Sequence, residues 1–136
     1  MTAEYTNVRK WTYTHHLAQH RLEQDGQPLG SDLGPDADRL TLEVVAHPAP
    51  EWSVGLGYSR TRRGEGTLTG AFQDGENPEP TFPSGVVELT DRVVLGCEYE
   101  NLRGLRAGLT VAGVAVRHSG HGDEDEDGWE VRAGIG

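Results

Sequence analysis

The chain is short of several residue types, and each shortage excludes a class of protein. It has one cysteine in 136 residues, Cys97, so no disulfide can form within it. Hydrophobic residues make up only 35% of the chain, and no apolar run reaches the ~18 residues of a transmembrane helix. Lys and Arg number 12 against 22 Asp and Glu. The resulting net charge of -10 argues against nucleic acid as a partner, because a row of phosphates must be neutralised by basic side chains.

Turn-forming residues are abundant, and glycine alone accounts for 19 positions. Helix-forming residues in periodic arrays are scarce by comparison. This combination favours an all-β protein. A length of 136 residues suits one domain with a modest core, so we expect residues 1–136 to form a single unit.

The stretch Glu51–Arg63 shows the strand pattern most clearly. Trp52, Val54, Leu56 and Tyr58 alternate there with serine, glycine and threonine. A strict period of two predicts a strand with one apolar face and one face of small polar residues. In a soluble sandwich the apolar face covers a core. In a membrane barrel it contacts lipid, and the small polar face lines a lumen.

Similar alternation along the chain predicts six antiparallel strands. Cys97 falls on the apolar parity of the fourth strand and is interpreted as a small hydrophobic residue. Asp91 interrupts the apolar parity of the same strand. The predicted strands are Glu4–His15, Arg39–Ala46, Glu51–Arg63, Val86–Tyr99, Leu105–Arg117 and Trp129–Gly136.

The connections between these strands run long, short, long, short and medium in length. With antiparallel neighbours, both short turns lie at one end of the sheet and the three longer loops at the other. Bacterial outer-membrane barrels show this asymmetry, with short periplasmic turns and longer extracellular loops. The pattern therefore predicts an up-and-down sheet that belongs to an outer-membrane β-barrel.

Six strands are fewer than the eight of the smallest single-chain outer-membrane barrels. The N-terminus carries no signal peptide, and the C-terminus lacks the aromatic residue usual in that class. We therefore expect the chain to be the C-terminal portion of a larger barrel whose remaining strands lie outside it. The alternative is a soluble small β-barrel or sandwich that binds a small apolar ligand, in keeping with the mean hydropathy of -0.59.

Several short segments carry a resemblance to a known family: Tyr13–His16, Pro28–Asp38, Glu51–Ser53, Arg62–Glu65 and Gly128–Glu130. Over most of its length the chain resembles the C-terminal region of Wzi-type capsule assembly proteins. The resemblance implies a large β-barrel in the outer membrane of Gram-negative bacteria, surrounded by outer-membrane lipid. It also implies that the protein binds capsular or other surface polysaccharide and helps to anchor the capsule, without enzymatic activity.

The chain departs from that family in two respects. The N-terminal barrel strands and the helical elements of the family are absent, and Leu17–Gly26 is poorer in aromatic residues. These departures put the completeness of the binding surface in doubt.

Four residues of the small polar parity lie near the long-loop end and are predicted to bind polysaccharide: His16, Arg39, Arg63 and His118. They would ring the extracellular mouth of the barrel. Arginine suits the carboxylates or phosphates of an acidic polymer, because its planar fork donates two parallel hydrogen bonds. The alternative is that they are ordinary lumen residues paired with nearby carboxylates, such as Glu43, Glu65 or Glu88.

No metal or other cofactor is predicted. His16 and His20 have a spacing that suits zinc on a helix, but they follow a strand and lack helical periodicity. Asp123–Asp127 with Gly128 matches the start of a calcium loop. The twelfth position of that loop holds Gly134 where a bidentate glutamate is needed, so a solvated acidic loop is expected.

No catalytic constellation is recognisable, and the protein is predicted not to be an enzyme. Ser53 and Ser59 have no His-Asp pattern nearby, and neither a nucleophile elbow nor a phosphate-binding glycine loop is present.

Aromatic residues follow the apolar parity and favour interfacial girdles or core packing over sugar stacking. They are Trp11, Tyr13, Trp52, Tyr58, Tyr99 and Trp129.

Overall fold

A computed structural model of the chain describes residues 1–13, 23–24, 27–28, 31–67, 81–101 and 103–135. Eight strands lie in these ranges. They are β1 Thr2–Val8, β2 Glu23–Gln24, β3 Gln27–Pro28, β4 Ala37–Ala49, β5 Trp52–Arg63, β6 Glu88–Glu100, β7 Arg106–Arg117 and β8 Glu126–Ile135.

Six of these strands form one antiparallel sheet in the order β1-β4-β5-β6-β7-β8. The all-β, up-and-down arrangement of six strands is therefore confirmed. β2 and β3 form a separate two-stranded ladder that the sequence did not predict, because two residues are too few to show a period.

The first strand is shorter than predicted. β1 ends at Val8, and the N–H of Thr12 then donates to the carbonyl of Arg9 over 3.1 Å in a turn. Trp11 and Tyr13 consequently lie outside the strand, and the prediction that they share its apolar parity is wrong. The alternation of these aromatic residues with threonine and lysine is a local pattern that the turn overrides.

The pairing register aligns the apolar positions of neighbouring strands across the whole sheet. Leu56 pairs with Val44 on one side and Leu95 on the other, and the row continues through Val111 to Val131. All side chains of this parity lie on one face, which we call the apolar face. The opposite face, which we call the polar face, carries mainly small and polar residues.

Both short turns lie at one end of the sheet, as predicted. The turn between β4 and β5 contains Pro50 and Glu51, and the Glu51 carbonyl accepts a 2.8 Å hydrogen bond from the N–H of Glu100 beside the β6–β7 turn. The other connections cross at the opposite end. The only helix in the described ranges is the 3-10 turn Ser119–His121, and no helix there is long and apolar enough to cross a membrane.

The two outer strands of the sheet each pair on one side only. β1 contacts β4, and β8 contacts β7, so the sheet is open in the part of the chain that the structure describes. Every residue of β8 is exposed.

Large apolar side chains are exposed on the apolar face, whereas a water-soluble protein buries most side chains of this kind. Leu56 and Leu95 on the apolar face are 50% and 52% exposed. Directly behind them, Gly57 and Val94 on the polar face are partly buried, and Ala112 is only 4% exposed. The buried hydrophobic cluster lies at the long-loop end, where Val8, Tyr13, Leu33 and Ala37 pack together.

The β6–β7 turn depends on one side chain. The Oδ1 atom of Asn101 accepts hydrogen bonds from the backbone N–H groups of Arg103 and Leu105, over 2.9 and 3.1 Å. We expect Asn101→Ala to lower the free energy of unfolding by ~1 kcal/mol, because both donors lose their acceptor. Asn101→Asp keeps the acceptor and should unfold like the parent chain in a urea titration. Equal stability of the parent and the alanine variant would contradict this account.

Candidate functional site

A buried carboxylate joins three loops at the long-loop end of the sheet. The Asp36 side chain is 1% exposed and accepts hydrogen bonds from the N–H of Gly66 over 3.1 Å and from the N–H and Oγ of Ser84. The Asp36 carbonyl accepts from the N–H of Gly64 over 2.8 Å. Residues 31–36, 64–67 and 81–87 are therefore held in one arrangement, which we call the loop cluster.

Two positions of the loop cluster must be glycine, because neighbouring atoms lie too close to them for a side chain. A Cβ on Gly64 would lie 2.3 Å from the Asp36 carboxylate and 2.6 Å from the Ser84 backbone, and one on Gly66 would lie 2.4 Å from the Asp36 Cβ. Asp36 itself has φ of 58°, in the left-handed region that aspartate tolerates better than most residues. The fit leaves no room for larger residues at either glycine.

Glu65, which follows β5, forms two further hydrogen bonds to the segment before β6. Its N–H donates to the Ser84 carbonyl over 3.0 Å, and its Oε1 accepts from the N–H of Val86 over 3.2 Å. The Arg9 guanidinium lies 4.9 Å from the centre of the Phe82 ring, a cation–π distance. The chain after β1 is thereby attached to the loop that precedes β6.

The β7–β8 loop is attached to the same end of the sheet. The N–H of Gly120 donates to the Glu88 carboxylate over 2.8 Å, and the His121 Nδ1 lies 2.8 Å from the Val86 carbonyl. Asp125 and Glu126 accept from the His118 N–H and the Ser119 Oγ. No group of His, Cys, Asp and Glu suited to a metal occurs among the described residues.

Paired charges end the apolar face beside the loops. Asp38 accepts hydrogen bonds from the Arg62 guanidinium and, over 2.8 Å, from the Tyr5 hydroxyl. Asp91 accepts from the Arg60 Nε and Nη2 over 2.8 and 3.0 Å. These are bidentate pairs, whose two parallel hydrogen bonds fix the geometry of both partners. The sequence predicted that Asp91 interrupts the apolar parity, but not its partner.

Two of the predicted binding residues come together on the polar face. Ala37 lies opposite Arg63 and Arg39 lies opposite Thr61, so the two arginines are diagonal neighbours on adjacent strands. The Arg39 Nη1 binds the Asp32 carboxylate over 2.9 Å, and its Nε donates to the Thr61 Oγ1 over 3.2 Å.

Arg63 has a different kind of partner, since its Nη2 donates to the Leu33 carbonyl over 3.3 Å. A carbonyl orients the guanidinium without neutralising its charge. The partners considered from the sequence, Glu43, Glu65 and Glu88, form no ion pair with either arginine in the described ranges. Asp32 and Leu33 take their place because the loop cluster folds back over the end of β4.

The other two predicted residues are less closely placed. Arg117 pairs with Leu89, so His118 begins the connecting loop one residue past the end of the ladder. It is exposed and has φ of 54°. His16 lies outside the described residues, as does His20 with the zinc spacing.

Aromatic side chains mark the opposite end of the apolar face. The rings of Trp52 and Tyr99 pair across β5 and β6 with their centroids 4.9 Å apart. Trp129 lies on the same face but near the start of β8, on the long-loop side, and covers Gly113, where a Cβ would lie 2.6 Å from the indole ring. Tyr13, by contrast, is buried in the loop region and accepts a hydrogen bond from the N–H of Ser31 over 3.1 Å.

The chain matches no protein-family model, no curated protein and no solved structure. The resemblance to Wzi-type capsule assembly proteins therefore stays a prediction. Two of the segments that carry it, Pro28–Asp38 and Arg62–Glu65, meet in the structure through the hydrogen bonds of Gly64 to Asp36, Arg62 to Asp38 and Arg63 to Leu33.

The loop cluster gives a direct test of the role of Asp36. We expect Asp36→Asn to increase amide hydrogen exchange at Gly66 and Ser84 by ~10-fold or more, because one of the two acceptor oxygens becomes a donor. Asparagine tolerates the same positive φ, so backbone strain does not contribute. Asp32→Asn, a change of an exposed carboxylate in the same loop, is the matched control. Unchanged protection at both amides in Asp36→Asn would show that the carboxylate does not hold the loops.

Proposed function

We propose that the chain is part of an outer-membrane β-barrel that binds surface polysaccharide at its long-loop end and catalyses no reaction. In this arrangement the apolar face contacts lipid and the polar face lines a lumen. The observation that carries the proposal is that large apolar side chains, among them Leu56, Leu95 and Val131, are exposed on one face of the sheet. A membrane barrel has this distribution because lipid, unlike water, is an apolar surrounding.

The ends of the apolar face suit the two interfaces of a bilayer. Trp52 and Tyr99 lie at the short-turn end, where amphipathic aromatic rings would meet headgroups. At the long-loop end the face finishes in two ion pairs, Arg60 with Asp91 and Arg62 with Asp38. Charged side chains are tolerated near an interface and are costly at the bilayer centre, so this distribution supports a crossing along the strands.

The open edges of the sheet support a larger barrel. β1 and β8 each leave a row of backbone N–H and C=O groups without a strand partner in the described ranges. Within a bilayer such groups must be satisfied by protein, because lipid offers no hydrogen bonds. We infer that additional strands pair with both edges and close the barrel.

Arg39 and Arg63 are the residues best placed to meet an acidic polymer. Both lie on the polar face beside the loop cluster, which fixes their position through Asp32 and Leu33. The Arg63 charge has no carboxylate partner in the described ranges. An anionic group of a polysaccharide would gain a charge-assisted hydrogen bond there without first displacing an ion pair.

The membrane placement is tested with single-tryptophan variants in vesicles of brominated phosphatidylcholine. We expect bromine to quench the fluorescence of Trp52 and Trp129, which lie on the apolar face, and to leave Trp11 almost unaffected. The matched control is the same set of variants in unbrominated vesicles. A chain that stays monomeric and soluble without lipid or detergent, with no quenching of any tryptophan, would contradict the proposal and favour a soluble β-barrel.

The binding role is tested by equilibrium binding of an acidic polysaccharide to the chain in detergent. We expect Arg39→Ala and Arg63→Ala each to weaken binding by ~10-fold, the effect of losing about one charge-assisted hydrogen bond. Arg103→Ala removes an exposed arginine from the turn at the opposite end of the sheet and should leave binding unchanged. Equal binding by all three variants and the parent would exclude this mouth site.

A further inference from the structure

We propose that the polar face holds a second carbohydrate subsite, a groove over β5 that takes a sugar unit carrying hydroxyl groups and one carboxylate. The inference rests on the proposed function and names the kind of monomer that the polymer contains. It assigns recognition of that monomer to residues beyond the mouth, chiefly Arg92 and Glu43.

The groove has a floor and two walls. β5 forms the floor, because its residues on this face that line the hollow are the small residues Gly55, Gly57 and Ser59. β4 and β6 form the walls, and two strand spacings of ~4.8 Å place them ~10 Å apart. The hollow is open to one side and measures about 370 Å³, within the range of small-molecule sites.

The glycines of the floor are not explained by packing or backbone conformation. A Cβ on Gly55, Gly57 or the adjoining Gly96 would meet no atom closer than 3.8 Å, and none of the three has a positive φ. Glycine in the interior of a strand is destabilising relative to alanine. Such a glycine often marks a place where a ligand approaches the backbone closely, and the hollow lies directly above these three.

The walls carry two opposite charges that do not meet. Arg92 lies opposite Ser59, and Glu43 lies opposite Gly57, so the floor strand separates them. Neither side chain has a hydrogen bond or ion pair with another described residue. Several other strand arginines do have carboxylate partners, including Arg106 with Glu100 and Arg132 with Glu130. A ligand between the walls could engage both free charges at once.

The lining groups define the chemistry of that ligand. No Phe, Trp or Tyr lies on the polar face of the six strands. A sugar bound there therefore has no aromatic ring of these strands to stack on. The hydroxyls of Thr41, Ser59 and Thr110 line the hollow, together with the two charges. Arg92 suits a carboxylate, and Glu43 accepts hydrogen bonds from sugar hydroxyls. A uronic-acid unit presents both groups.

The groove continues from the mouth. Arg39 donates to Thr61, and Thr61 lies two residues along β5 from Ser59, which is opposite Arg92. Two residues correspond to ~7 Å along a strand. A chain bound at Arg39 can therefore pass its next units over the glycine floor.

The test measures binding of a glucuronic-acid tetramer to the chain in detergent by titration calorimetry, with maltotetraose as the neutral match. We expect Arg92→Gln to weaken binding of the acidic tetramer by ~10-fold or more and to leave maltotetraose unaffected. Gly57→Val fills the floor, where its Cβ has space, and should abolish binding of both sugars. Arg106→Gln and Gly108→Val alter the same face outside the groove, near the short-turn end, and should bind like the parent.

The outcomes separate this inference from the proposed function. If Arg39→Ala and Arg63→Ala weaken binding of a long acidic polymer while Arg92→Gln and Gly57→Val still bind the tetramer normally, the groove is excluded and the mouth site stands. If the parent chain binds neither polymer nor tetramer, both are wrong. Equal weakening of the acidic and neutral tetramers by Arg92→Gln would overturn the assignment of the carboxylate to Arg92.

Discussion

The buried carboxylate of Asp36 is the constraint on which the loop end of this protein depends. It lies where the chain enters β4, and it accepts hydrogen bonds from segments that follow β5 and precede β6. A buried charge is costly unless several donors surround it, so the three loops must adopt the arrangement that supplies them. Gly64 and Gly66 allow that approach, because neither position has room for a side chain. The same arrangement brings Asp32 and Leu33 to Arg39 and Arg63.

The second constraint is the continuity of parity across the sheet. A register shift of one residue in any ladder would move apolar side chains to the polar face, and no such shift occurs between β4 and β8 apart from the irregularity at Ala46 and Ala49 beside a turn. The apolar face therefore extends unbroken from Leu42 to Val131. The small residues behind it leave open space, most of all over β5. Both proposals, a lipid-facing sheet and a sugar-binding groove, derive from this division.

Sequence reasoning predicted the six strands of the sheet, their antiparallel order and the two ends of the sheet, because period-two alternation and loop length are local properties. Sequence reasoning extended the first strand too far. The alternation of aromatic residues continues through the turn at Arg9 and Thr12, so it does not show where the strand ends. Sequence reasoning also brought Arg39 and Arg63 to one end, but the carboxylates named in the alternative interpretation did not include Asp32, which pairs with Arg39. Asp32 lies seven residues before Arg39 in a segment without periodicity, so its contact could not be derived from a strand pattern.

The sequence by itself determined which residues share a face, because alternation fixes side-chain direction along a strand once the strand exists. It also determined that the long connections share one end. Only the tertiary structure decided how those connections fold, because Asp36 and Ser84 are separated by 48 residues and no local preference joins them. Tertiary structure likewise decided that the large apolar side chains are the exposed ones. Alternation creates two faces, but whether another element packs over a face is not a local property of the strand, and the apolar side chains of this sheet stay exposed in the described ranges.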